Sequence, residues 1–89
     1  MKLSGHTDWI RGLSVKSVGS DCLVASISDD ATCRVWSLES GAPVASLPLV
    51  EMGSAIAFAP NSLDIVVATG SALARYSFED RSGSSLRGV

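Results

Sequence analysis

The feature that most constrains this chain is an internal repeat. When the 89-residue sequence is shifted by 43 positions, its apolar and turn residues coincide with a second set of similar residues. The coincident pairs are Leu13 with Ile56, Val15 with Phe58, Asp21 with Asp64, residues 23–26 with 66–69, and Ser28 with Ser71. The second copy then lacks three residues, after which Trp36-Ser37-Leu38 coincides with Tyr76-Ser77-Phe78. The chain must therefore build one structural unit twice.

Short apolar runs alternate with turn residues along both copies, and apolar residues at helical spacing do not persist for three turns. We expect strands at residues 10–16, 22–27, 32–37, 43–47, 55–59, 65–68 and 73–78. Clusters of Gly, Ser, Asp, Asn and Pro separate these runs and supply the turns. A period of about 40–45 residues with four short antiparallel strands per unit predicts an all-β fold of propeller blades.

A longer motif identifies the type of blade. Gly5-His6 is followed by the run LVASISDDATCRVWS at residues 23–37. This pattern resembles the WD-repeat family of β-propellers, in which a histidine, a strand serine, a turn aspartate and a tryptophan form a buried hydrogen-bonded set. Carried over by motif position, the resemblance implies a network of His6, Asp30, Trp36 and either Ser28 or Ser26. A buried carboxylate needs such donors, because an unpaired buried polar group costs about 1–3 kcal/mol.

The two copies match the family pattern unequally. In the first, the terminal Trp-Asp is Trp36-Ser37, which keeps the indole. In the second, Leu49 stands where the histidine belongs, Tyr76 replaces the tryptophan, and the deletion removes the turn aspartate. We therefore expect a well-formed blade at residues 1–47 and a degenerate blade at 48–78. Residues 79–89 are polar and are predicted to form a disordered tail.

Charge and cysteine usage exclude several classes of protein. The net charge is −2 with both signs scattered, so no basic stripe is present to bind nucleic acid or an anionic membrane. No signal-peptide core and no apolar run of about 18 residues occurs. The predicted hairpin places Cys33 opposite Ser26 or Ile27, about four or five residues from Cys22 along the strand, which is beyond the reach of a disulfide. Both cysteines are therefore expected to be thiols. We expect a cytoplasmic or nuclear protein.

Catalytic, metal and cofactor sites are not predicted. A hydrolase triad built on His6 and Asp8 is the alternative, but His6 follows the glycine at the family's structural position and no nucleophile motif accompanies it. One histidine and two separated cysteines lack zinc-ligand spacing. No phosphate-binding glycine loop is present, and the adjacent Asp29 and Asp30 are more simply turn residues than an acid/base pair.

Trp9, Arg11 and Asp29 are the candidate protein-binding residues. In the family, residues just after the Gly-His and just before the turn aspartate lie at the rim of the binding face, and these three occupy those positions. Tryptophan and arginine are also common in interface hot spots. The alternative is that Trp9 covers the seam between blades while Arg11 and Asp29 form a weak exposed ion pair.

The function that follows is a non-catalytic scaffold for other proteins or peptides. A second hypothesis is a structural fragment without independent function, because two blades are fewer than the roughly four to eight that close a propeller. Missing blades or self-association would then be needed to cover the open faces. The run at residues 32–38 and the degenerate copy also resemble the WD-repeat subunit of a large-ribosomal-subunit assembly complex, which is the third hypothesis.

Overall fold

The chain forms two antiparallel sheets. The computed structural model describes residues 2–77, in which seven strands and no helix are found. The first sheet contains β1 (Ile10–Val18), β2 (Asp21–Ser28), β3 (Thr32–Ser37) and β4 (Pro43–Pro48), and the second contains β5 (Ala55–Phe58), β6 (Ile65–Ala68) and β7 (Leu73–Tyr76). Within each sheet the strands follow one another in chain order. The described residues hold no helix long and apolar enough to cross a membrane.

This architecture confirms the predicted all-β fold of antiparallel strands, arranged as part of a β-propeller. The first sheet has the predicted four strands, whereas the second shows three within the described part of the chain. All seven predicted strands are found. Both β1 and β2 are two residues longer than predicted and β4 is one residue longer, whereas β5 is one residue shorter and β7 ends at Tyr76. Phe78, the predicted end of the last strand, and the predicted tail at 79–89 lie outside the described residues. The blade boundaries at 47 and 48 stay a prediction.

The turn between β2 and β3 sets the register of the first sheet. It places Ile27 opposite Cys33, one of the two pairings predicted, while Cys22 pairs with Ser17 on β1. Ala31 closes the turn with a left-handed φ of 65°, and its N–H donates to the carbonyl of Ser28 at 3.1 Å. Both cysteines are thiols. Burial raises the pKa of the Cys33 thiol to about 11, so it behaves as a small apolar side chain.

The core lies between the two sheets. Alternate side chains of each strand point to the same side, so one side of the first sheet faces one side of the second. The buried residues that make up this cluster are Leu23, Ala25, Ile27, Cys33, Val35, Leu49, Ile65 and Val67. Ile56, Phe58 and Tyr76 pack against them from the second sheet. The core is therefore shared, and each sheet supplies the apolar cover that the other needs.

Polar contacts tie the edges of this interface. Lys16 on β1 donates from Nζ to the carbonyl oxygens of Ala59 at 2.7 Å and Ser62 at 2.6 Å, in the loop that follows β5. The N–H of Phe58 donates to Oγ of Ser14 at 3.1 Å. Because these bonds use backbone groups of the second repeat, they fix the position of β5 against β1 without requiring particular side chains there.

Substitution of Gly53 tests how tightly the sheets are packed. An added Cβ at Gly53 would lie 2.7 Å from Cγ1 of Val67 and 3.2 Å from Cδ1 of Ile27, so Gly53→Ala should lower the free energy of unfolding by about 1–3 kcal/mol. Gly70→Ala is the matched control, because nothing lies within 4 Å of an added Cβ there. Urea unfolding measures both. Equal midpoints for the two variants would contradict the close packing around Gly53.

Candidate functional site

A buried chain of hydrogen bonds joins four parts of the first repeat. His6, in the segment before β1, contacts Oδ2 of Asp30 through Nδ1 at 3.0 Å and Oγ of Ser26 through Nε2 at 2.7 Å. Nε1–H of Trp36 on β3 donates to the same Ser26 oxygen at 3.4 Å. The side chains of His6 and Asp30 are 4% and 8% exposed. The structure therefore brings together His6, Ser26, Asp30 and Trp36, the residues that the family resemblance implies.

The carboxylate fixes the direction of the first contact. An ionised carboxylate can only accept, so Nδ1 of His6 carries the proton that is donated to Asp30. Nε2 of His6 lies 2.7 Å from Oγ of Ser26, and the hydroxyl of Ser26 is also within 3.4 Å of the carbonyl oxygen of Arg34. The Ser26 oxygen in turn accepts from the indole of Trp36. Each polar group of the chain therefore has a hydrogen-bond partner, as buried polar groups require.

Asp30 receives more donors than the motif alone supplies. Its Oδ1 accepts from the Thr32 hydroxyl at 2.5 Å and the Thr32 N–H at 2.9 Å, and its Oδ2 accepts from the Thr7 N–H at 3.0 Å. Desolvation by itself would raise the pKa of Asp30, but the hydrogen bonds from Thr32, His6 and Thr7 outweigh it and hold that pKa well below its usual range. The carboxylate is therefore charged and fully engaged at neutral pH.

Sequence reasoning missed both threonines. An aspartate two residues before a threonine has the spacing of an Asx turn, in which the side chain accepts from the backbone N–H two residues on. The Asp30-Ala31-Thr32 segment carries that signal. Thr7 carried none, because its contribution is a backbone N–H.

Ser28, the first choice for the network serine, has a different role. Its Oγ accepts from the N–H of Asp30 at 3.0 Å, within the turn, and it is fully buried. Ser26, the alternative, is the serine that contacts His6. Both serines lie on one side of β2, as predicted, but Ser26 sits opposite Arg34 in the register and so lies deeper in the sheet, within reach of Trp36.

Gly5 allows the segment that carries His6 to approach β3 closely. A Cβ added to Gly5 would lie 3.0 Å from the Trp36 ring and 3.1 Å from the guanidinium of Arg34. The segment that carries His6 therefore crosses directly over the face of β3. The glycine before the histidine is needed for this close approach of backbone to side chains.

The His6 network has the hydrogen-bond order of a hydrolase triad but not its accessibility. Ser26 is 2% exposed, so its hydroxyl cannot reach a substrate. Asp8, the carboxylate considered for such a triad, accepts instead from the N–H of Trp9 at 2.8 Å. Within residues 2–77, histidine, cysteine and acidic side chains do not converge in groups of three that could hold a metal ion.

Trp9, Arg11 and Asp29 lie together at one end of the first sheet. Trp9 is 74% exposed, and its carbonyl accepts from the N–H of Asp29 at 2.9 Å. Arg11 donates to Oδ2 of Asp29 from Nε at 2.9 Å and Nη2 at 2.5 Å. Hydrogen bonds from Arg11 lower the pKa of Asp29, and the same contact raises the pKa of Arg11. A shallow open depression beside Trp9 is lined by His6, Thr7 and Asp8.

An irregularity in β1 places Arg11 in this group. The register shifts between Ile10, which pairs with Ser28, and Gly12, which pairs with Ile27. Arg11 is the extra residue, as in a β-bulge, and its side chain reaches the turn that carries Asp29. Sequence reasoning placed Trp9 and Arg11 on one side by simple alternation and did not foresee the bulge.

The second repeat keeps one polar contact of the first. Asp21 accepts from the Ser37 hydroxyl at 2.6 Å, and Asp64, which coincides with Asp21 in the repeat, accepts from the Ser77 hydroxyl at 2.8 Å. At the position of the histidine, Leu49 is 7% exposed and belongs to the core. The second sheet therefore replaces the buried polar network by apolar packing while it keeps the aspartate that joins its strands.

Removal of Asp30 or His6 tests the network. We expect Asp30→Ala and His6→Ala each to lower the free energy of unfolding by about 1–3 kcal/mol, because each leaves buried partners unpaired. The double variant should lose less than the sum, since the two residues share one hydrogen bond. Denaturant unfolding of all four proteins measures this, and additive losses would show that the residues act independently.

The low pKa of Asp30 predicts a pH dependence. A carboxyl whose pKa is lower in the folded than in the unfolded chain contributes stability above its unfolded pKa of about 3.9, and this contribution declines as pH falls toward the folded pKa. The difference in unfolding free energy between the wild type and Asp30→Asn should therefore shrink as the pH falls below about 4. Urea midpoints across this range test it. A difference that is the same at low pH would contradict the assigned pKa direction.

Comparisons with known proteins give partial matches. No family model matches the chain. The chain is 38% identical over 71 residues to the ribosome biogenesis protein BOP1 homolog of Drosophila virilis, and this match covers 78% of the chain and 9% of that protein. It is 43% identical over 58 residues to human nucleoporin Nup37, a match that covers 65% of the chain and 17% of Nup37. The chain thus spans a small part of the length of the relatives it matches.

Proposed function

We propose that this chain is part of a WD-repeat β-propeller and serves as a non-catalytic scaffold for protein–protein interaction. The observation that carries the proposal is the exposed group of Trp9, Arg11 and Asp29, held beside a buried polar network. Trp9 presents a large apolar surface, and its exposed fraction of 74% is incompatible with a residue covered by the second sheet. An exposed tryptophan on a rigid support is a typical binding hot spot.

Hydrogen bonds hold the backbone on both sides of Trp9. Two residues before it, the Thr7 N–H donates to Asp30, and the His6 ring is held on both nitrogens. On the other side, the carbonyl of Trp9 accepts from Asp29. Binding of a partner at Trp9 therefore orders little additional backbone of this chain. The entropic cost of binding is then low, so a small contact area can give measurable affinity.

The partner that fits this surface is a protein or peptide with an apolar anchor beside a basic or amide group. Trp9 would contact the apolar anchor of the partner. The carboxylates of Asp8 and Asp29 lie near Trp9 in space and would attract a positive or hydrogen-bonding group. Arg11 already neutralises part of the charge on Asp29. The proposal includes no cofactor, metal ion, nucleic acid or membrane as the ligand.

The names of the relatives support a place in a larger assembly. One is named for ribosome biogenesis and the other is a nucleoporin, so the matched region occurs in proteins of two different processes. A shared scaffolding role accounts for both, and both names favour the nucleus over the cytoplasm as the compartment. Assembly of the large ribosomal subunit is the second candidate process, and the two matches do not favour it over a general scaffolding role.

Substitution of Trp9 tests the proposed binding surface. Peptides would be selected from a random library on the wild-type protein and titrated against the variants. Trp9→Ala should weaken binding by about 2 kcal/mol, or about thirty-fold, and leave the thermal melt nearly unchanged. Met52→Ala is the matched control, because Met52 coincides with Trp9 in the repeat and is 57% exposed.

Three results are decisive for this test. Arg11→Glu should strengthen the binding of a basic peptide in a salt-dependent manner, because it removes the charge that neutralises Asp29 and adds a second carboxylate beside it. If Trp9→Ala lowers stability and binding together, Trp9 is a structural residue of the seam between blades. If it alters neither, the binding surface lies elsewhere and the proposal for these three residues is wrong.

A further inference from the structure

Two apolar sheet surfaces face away from the shared core. On the first sheet, Leu13 and Val15 of β1 are 62% and 59% exposed. We call this pair the β1 surface. On the second sheet, Leu73 is 76% exposed, and Ala55 and Ala57 are exposed beside it. We call these three residues the β5 surface. Each surface thus exposes adjacent apolar side chains on one side of a sheet, which is a feature of interaction surfaces.

The β1 surface is related by the repeat to one half of the interface inside the chain. Leu13 and Val15 coincide with Ile56 and Phe58, displaced by 43 positions. Ile56 and Phe58 pack against the core from the second sheet. The β1 surface of the first sheet therefore corresponds to the side of the second sheet that packs against the first sheet.

The β5 surface is related in the same way to the other half. Ala55 and Ala57 coincide with Gly12 and Ser14 of β1. Gly12 lies under Ile56, since an added Cβ would be 3.4 Å from Cγ2 of that residue, and Ser14 accepts from the Phe58 N–H. Small residues thus receive the larger side chains of the opposing sheet. The β5 surface offers small residues at the corresponding positions.

We propose that the β1 surface of one copy of this chain packs against the β5 surface of a second copy, head to tail. The contact would reproduce between molecules the interface that the structure shows within one molecule. The occupant of each surface is therefore a second copy, and the proposal rests on this repeat relation. It is independent of the peptide-binding role proposed for Trp9, so either can fail alone.

The side chains at the new contact are compatible with this packing. At the new contact Ala55 takes the place of Gly12 and adds a Cβ. Leu13 takes the place of Ile56 and lacks the Cγ2 atom that Ile56 directs at Gly12, so space is left for this Cβ. Arg75, on the same side of the second sheet as Leu73, is held by Asp64 at 2.7 Å, which offsets its charge. The new contact therefore requires neither a buried unpaired charge nor a larger volume than the internal one.

The contact between copies would be weaker than the contact within a copy. Lys16 and Ser14, which tie the internal interface, coincide with Ala59 and Ala57 in the second repeat. Their hydrogen bonds have no counterpart at the new contact, which is held by apolar burial alone. Assembly should therefore depend on protein concentration.

Head-to-tail contacts limit the size of the assembly. Such an interface is heterologous, so copies add in one direction until the ring closes. Successive blades of a propeller are related by a constant rotation that closes a ring. A closed ring, rather than an open distribution of lengths, is therefore the expected product.

Complementary variants distinguish this arrangement from other modes of association. Leu13→Asp disables the β1 surface and leaves the β5 surface intact, whereas Ala57→Asp does the reverse. Each variant alone should be monomeric by sedimentation velocity and light scattering, while the wild type forms its ring. An equimolar mixture of the two should yield a one-to-one dimer, because one intact surface remains on each. Val50→Asp is the control, since Val50 is 95% exposed and lies outside both surfaces.

The alternative outcomes overturn the proposal. A wild type that is monomeric at its highest soluble concentration shows that the two surfaces do not bind each other. Variants that still self-associate, or a mixture that stays monomeric, show that any association is not head to tail. Circular dichroism checks that each variant is folded. If either is not, Val15→Asp replaces Leu13→Asp and Leu73→Asp replaces Ala57→Asp in the same experiment.

Discussion

The buried carboxylate of Asp30 is the constraint on which the first sheet depends. It accepts from Thr7 and His6 in the segment before β1 and from Thr32 at the start of β3, so it joins three separate parts of the chain. A charge this deeply buried is tolerated only because every oxygen is engaged, and loss of any donor would leave the cost of desolvation uncompensated. The low pKa of Asp30 results from the same balance between desolvation and donated hydrogen bonds.

The second sheet shows that a blade can form without this network when a neighbour supplies apolar cover. Leu49 occupies the position of His6 and is buried in the shared core, together with Ile65 and Val67. Apolar packing is less directional than a hydrogen-bonded chain and tolerates changes in sequence at similar volume. The first sheet is thus held by a hydrogen-bonded network and by apolar packing, whereas the second is held mainly by apolar packing.

Much of the fold follows from local patterns, and much of the site does not. The strands, and the partner of Cys33 to within one residue, were predictable because alternation and turn residues act over a few positions. The choice of Ser26 over Ser28 depended on the depth of each in the sheet, and the bulge at Arg11 depended on a register that no local signal specifies. The contact of Lys16 with the loop after β5 requires the relative position of two repeats, which alternation cannot provide.

The same repeat that builds the core also determines what the molecule presents outward. Because side chains alternate along a strand, a repeated unit that packs one side on its neighbour carries the other half of its pattern on the opposite side. Leu13 and Val15 occupy the exposed side of the first sheet, and the residues that coincide with them, Ile56 and Phe58, pack against the core. Trp9 belongs to neither side, since it lies at the end of the sheet, next to the turn that carries Asp29. The apolar sides of the sheets and the end that carries Trp9 are therefore separate surfaces.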